Sequence, residues 1–100
     1  MIYIAGPYRA STKLGMIINI LKARKVAKKY WALGYTVICP HMNSALMDGC
    51  APDEVFLKGG MELLECANQM VVLPGWERST GTIAEIEYAK EKGIPITYEG

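Results

Sequence analysis

Histidine and phenylalanine each occur once in this chain of 100 residues, and cysteine only three times. Cys39, Cys50 and Cys66 are widely spaced and have no metal-type spacing to His41, which excludes a zinc centre and a disulfide framework as organising devices. An excess of charge of either sign is also missing. The formal net charge of +1 provides no global field to draw the chain to nucleic acid or to an anionic membrane. No segment approaches the roughly 20 apolar residues of a membrane span, and the opening Met1–Pro7 lacks the basic leader of a signal peptide. Repeats, low-complexity tracts and linkers are absent. So are Gly-x-Gly-x-x-Gly and a Gly-Lys-Ser/Thr end, which removes the dinucleotide fingerprint and the P-loop. Reduced thiols in a cytoplasmic protein, with no metal or organic cofactor, are the expectation.

What is present is globular composition, 51% apolar and 21% charged, enough for one domain over residues 1–100. Short apolar strands are predicted at residues 2–5, 36–39, 70–73 and 94–98. Between them, helical spacing of Met16, Ile20, Ala23, Ala27 and Tyr30 predicts a helix over 12–33, closed by Gly34. A loop over 41–52 leads to a second helix over 53–67 with Asp53 as N-cap, and a third helix spans 82–92, closed by Gly93. The order βαβαβαβ with nearly continuous apolar strands implies an α/β fold. It is a small flavodoxin-like or Rossmann-like parallel sheet of about four strands with helices on both faces.

Strand ends at Gly6, Pro40 and Pro74 then open on one edge, where ligands collect in such sheets. Three loops meet there: Gly6-Pro7-Tyr8-Arg9, Pro40-His41-Met42-Asn43-Ser44, and residues 74–82 with Trp76, Ser79 and Gly81. Arg9, Ser79, Thr80 and the N–H groups around Gly81 suit a phosphate or a sugar hydroxyl. Glu85, about one turn inside the third helix, is expected to be held ionised by the helix dipole and aimed into the cleft, a good place for a nucleophile.

The ordered set Tyr3-Ile4-Ala5-Gly6-Pro7-Tyr8-Arg9, Cys39-Pro40-His41-Met42-Asn43 and Gly75-Trp76-x-x-Ser79-x-Gly81-x-x-x-Glu85-x-x-x-Ala89 resembles the nucleoside 2-deoxyribosyltransferase superfamily. It looks closest to a small bacterial and phage deoxyribosyltransferase-like branch. The resemblance implies a retaining double displacement. Glu85 attacks the anomeric carbon of a 2′-deoxynucleoside or its 5′-monophosphate, Tyr3 orients the carboxylate, and Gly6, Pro7, Arg9, Ser79 and Gly81 hold the 5′-phosphate. Water or a second base then releases the glycosyl-enzyme, in the manner of other retaining glycosidases. The chain departs from the family pattern where relatives carry an aspartate that assists departure of the base, for Gly60 stands there, and Asn68 replaces a following aspartate. His41 and Asp53 are the candidates to replace the lost acid. Loss of a general acid costs on the order of 10²–10⁴-fold in rate.

Other readings of the same residues stand beside these. Thr82 and Glu85 fit a capping box, Thr-x-x-Glu. Tyr3 alternates with Ile2 and Ile4 and fits core packing with a satisfied hydroxyl. Tyr8 and Arg9 share a loop that an ordinary solvated charge would also suit, and His41 and Asn43 fit loop capping as well as substrate contact. Trp76 suits a nucleobase stack or a subunit contact. Lys22, Arg24, Lys25, Lys28 and Lys29 read as a solvated helix face. The alternative to an enzyme is a non-catalytic nucleotide or nucleotide-sugar sensor of the same fold. Under either reading, open sheet edges together with Trp31 and Trp76 point to a homo-oligomer, a dimer or larger.

Overall fold

The computed structural model describes residues 1–43 and 50–99, apart from the side chains of Met42, Asn43 and Asp53. One parallel sheet runs through it in the order β2-β1-β3-β4. Its strands are β1 (Ile2–Ala5), β2 (Val37–Ile38), β3 (Gln69–Val72) and β4 (Ile96–Tyr98). Ile2 lies opposite both Val37 and Gln69, and Met70 lies opposite Ile96. β1 is apolar at every position because both faces of the sheet are covered there. Tyr3, Ala5, Met70 and Val72 point to one side, and Ile2, Ile4, Val71 and Leu73 to the other.

Helix α1 (Lys13–Ala32) covers one face with Ile20, Ala23 and Ala27. A short helix, α2 (Pro40–Asn43), follows β2. Helices α3 (Asp53–Glu65) and α4 (Thr80–Glu91) cover the other face with Leu64, Ile86 and Ala89. The chirality rule explains this division. The step from β1 to β2 goes one way along the sheet, while the steps from β2 to β3 and from β3 to β4 go the other way. Right-handed crossovers therefore put their helices on opposite faces. The chain leaves β1 toward one face and β3 toward the other, so the gap between their carboxyl ends is the topological switch point.

Several boundaries differ from expectation. β2 keeps only Val37–Ile38 of the predicted residues 36–39, and the loop predicted from 41 begins instead as α2, with Pro40 at the first helical position it favours. Pro52, not Asp53, is the N-cap of α3, and Asp53 is its first residue. Helix α4 starts at Thr80, two residues before the prediction, because Ser79 caps it. β4 starts late because Ile94 N–H closes the end of α4 on Ala89 O and Pro95 has no N–H to donate. Gly34 and Gly93 take the left-handed conformation (φ 95° and 72°) that ends α1 and α4 as predicted. Among the described residues no helix is long and apolar enough to cross a membrane.

Candidate active site

Tyr3 sits in the middle of the most buried strand, its ring on the face covered by α3 and α4. Its phenol donates a hydrogen bond to Oε2 of Glu85. Glu85 reaches it because of how α4 begins. Ser79 Oγ accepts from the Thr82 N–H at 3.3 Å and from the Thr82 hydroxyl at 2.9 Å, so the cap is Ser79. The capping box predicted for Thr82 and Glu85 does not form, and the Glu85 carboxylate is left for Tyr3.

Burial raises the Glu85 carboxyl to about 7, against a smaller lowering by the Tyr3 hydroxyl. This overturns the expectation of a carboxylate kept ionised by the helix dipole. Glu85 is the sixth residue of α4, past the first turn where the dipole acts, and desolvation decides its charge. Tyr3 is pushed far above its ordinary range, by burial first and then by the facing carboxylate, so it remains a donor.

The pair lines a cleft of about 1050 Å³ at the switch point, bordered by Gly6, Pro7, Pro40, Pro74 and the start of α4. Two glycines shape it by close approach. A Cβ on Gly6 would lie 2.7 Å from Leu73 Cβ, so only glycine lets β1 end against the residue after β3. A Cβ on Gly60 would lie 3.2 Å from the Tyr3 hydroxyl. The position where the resemblance calls for an acid therefore faces the phenol across minimal space.

His41 is buried in the wall, and its Nε2–H donates to Pro7 O at 2.9 Å. That bond fixes the tautomer, so Nδ1 carries a lone pair, and among the described residues this buried atom has no partner. Burial lowers the His41 pKa despite its backbone bonds, leaving a neutral acceptor in place of the acid the sequence offered. Tyr8 stands edge-on to the His41 ring at 5.7 Å, and the Tyr8 carbonyl accepts from Asn19 at 3.2 Å.

Of the residues singled out in the sequence, Tyr3, Gly6, Pro7, Tyr8, Arg9, His41, Ser79, Gly81 and Glu85 all border the cleft. Trp76 does not. Its ring packs on Tyr98 at 5.5 Å, within a 3-10 turn (Trp76–Arg78) that follows left-handed Gly75. Within the chain its aromatic partner is thus Tyr98 on β4, and the ring stays half-buried. The Asn43 and Asp53 side chains, named for substrate contact and for acid catalysis, lie outside the described residues. Arg78 and Asn19, which no motif singled out, also border the cleft, as do Lys22 and Lys25 from the exposed flank of α1. The signal was there for α1: residues 19, 22, 25 and 29 follow helical spacing along one flank.

Residues 1–98 match the family described as a domain of unknown function, DUF4406. The chain belongs to that family. Among solved structures, a 2-deoxyribosyltransferase from Bacillus psychrosaccharolyticus superposes with a TM-score of 0.69 at 22% identity, covering 97% of this chain and 69% of the other. At that identity the likeness establishes the shared fold and leaves the chemistry open. No curated protein matches the chain.

Proposed function

We propose that residues 1–100 act as one domain that cleaves or exchanges the N-glycosidic bond of 2′-deoxynucleosides or their 5′-monophosphates. The observation that carries this reading is the buried contact between Tyr3 and Glu85 at the floor of the switch-point cleft. Ionised Glu85 attacks the anomeric carbon, the C1′–N bond breaks, and its electron pair leaves with the base. The product is a glutamyl-deoxyribose ester, and Tyr3 holds the attacking oxygen in position. Water, or the nitrogen of a second base, then displaces the carboxylate from the opposite side and restores configuration. Ser79 still has a hydroxyl proton to donate after capping. With Arg9 and the first N–H groups of α4, it suits the 5′-phosphate. The fold shared with a 2-deoxyribosyltransferase supports the same reading.

The test is to incubate the protein with mixed deoxynucleosides and monophosphates, with and without free bases, and to separate the products. Base release or exchange that disappears in Glu85→Ala is expected. Turnover unchanged in that variant would end the mechanism.

Gly60 favours a second reading, a nucleotide-binding sensor, because no acid stands there to protonate a leaving base and His41 is neutral. That reading predicts thermal stabilisation by deoxynucleotides with no base release.

Self-association belongs to the same proposal. Leu14, Ile17, Ile18 and Leu21 form one outward row on α1, from 36% to 67% exposed, beside a face already buried on the sheet. A helix apolar on both sides is normally covered on both.

A further inference from the structure

The cleft is larger and more cationic than a nucleoside requires. Its volume of about 1050 Å³ stands at the upper end of the roughly 300–1,000 Å³ of small-molecule pockets. Beyond the Glu85 end it follows α1, bordered by Arg9, Lys22 and Lys25. Lys22 and Lys25 are one turn apart on the same flank, about 4.5 Å along the axis, a spacing that lets two ammonium groups meet adjacent phosphates. The far end is closed. Glu99 accepts from Lys29 at 2.9 Å and from the Tyr30 hydroxyl at 3.3 Å, so the last lysine of the row is already neutralised by a carboxylate.

We propose that Arg9, Lys22 and Lys25 form a subsite for the phosphate tail of a nucleoside 5′-di- or triphosphate, ending at the Lys29–Glu99 pair. The nucleoside part of this assignment rests on the glycosidic reading of the site, whereas the tail subsite stands on the cleft itself. The ion pair at the end of the row sets a limit on tail length. With Lys29 neutralised by Glu99, a polyanion that continued past Lys25 would meet no uncompensated cation, which argues for two or three phosphates and against a nucleic-acid strand.

Calorimetric titration of the intact chain with phosphate, pyrophosphate and tripolyphosphate at fixed ionic strength tests this. Tripolyphosphate should bind at least about tenfold tighter than phosphate. The double variant Lys22→Gln/Lys25→Gln should lose that gain while keeping its Tm. The outward control Arg24→Gln/Lys28→Gln, of equal charge change, should keep it. Equal affinity for phosphate and tripolyphosphate, or equal losses in both double variants, would overturn the subsite. A short single-stranded oligodeoxynucleotide binding more tightly than tripolyphosphate would overturn the closed end. Glu85→Gln should leave polyphosphate binding intact, so failure of the glycosyl chemistry and failure of the tail subsite are separable.

Discussion

The hydroxyl of Tyr3 and the carboxylate of Glu85 meet across 82 residues of sequence, one on the first strand and one on the last helix. The contact is buried, and the carboxyl half of it titrates near neutrality. Most of the measurable behaviour of the site follows from those two facts.

Glu85→Gln separates chemistry from stability. Turnover should fall on the order of 10⁴-fold or more, as for other lost nucleophiles. Stability should move the other way. A carboxyl raised from 4.5 to about 7 on folding leaves the native state fully stable below pH 4.5 and weakens it as pH rises through 7. The variant should therefore gain up to about 3 kcal/mol over the parent at pH 8, and almost nothing at pH 4. Urea denaturation at the two pH values measures both.

Tyr3→Phe removes the one hydroxyl that lowers the Glu85 pKa. The attacking group must be ionised, so activity should rise with pH through an inflection near 7 in the parent. In the variant the inflection should move up by about one to two pH units, since a hydrogen bond to a charged group contributes about 1.5–3 kcal/mol. A pH–rate profile reads this. Carboxyl-detected NMR of Glu85 reads the same shift without any substrate.

Gly59 and Gly60 should respond differently to alanine. Nothing lies within 4 Å of a Cβ at Gly59, so Gly59→Ala should stabilise α3 by about 1 kcal/mol through helix propensity. A Cβ at Gly60 presses on the hydroxyl of a fully buried tyrosine already held by Glu85. Gly60→Ala should gain much less stability and should lower turnover. Thermal melts and initial rates of the two variants are the comparison.

Ser79→Ala should remove the cap of α4, lowering stability by about 1 kcal/mol. Affinity for a 5′-monophosphate should fall more than affinity for the matching nucleoside, measured as separate dissociation constants.

Ile18→Glu should convert any self-associated form to monomer without changing the circular dichroism spectrum, because Ile18 faces away from the sheet. Multi-angle light scattering across a concentration series decides this.

The strands, their parallel pairing and the edge where the loops meet could be read from the chain, because apolar runs between Gly and Pro punctuation leave little topological freedom. Tyr3 and Glu85 could be paired only through the resemblance, since Thr82-x-x-Glu85 fits a cap equally well. Ser79, starting α4 two residues early, settled that choice. The charge state of Glu85 could not be read, because its desolvation comes from elements far away in sequence. Lys22 and Lys25 are exposed, as a solvated helix face requires, but that they also border the cleft depends on how α1 lies on the sheet, which the sequence does not give. Trp76 found its neighbour in Tyr98, a pairing that depends on the 3-10 turn and on where β4 ends.

The seating of Gly6 on Leu73 has a bearing on which ligands can be accommodated. Two neighbouring strands locked together at their ends form a stiff platform that does not adjust to the size of a guest. Under the proposed glycosidic reading, tolerance for large or small bases then comes from the side walls, on α1 and α3. Substitutions aimed at changing the range of guests belong there, for instance at Phe56 or Leu57.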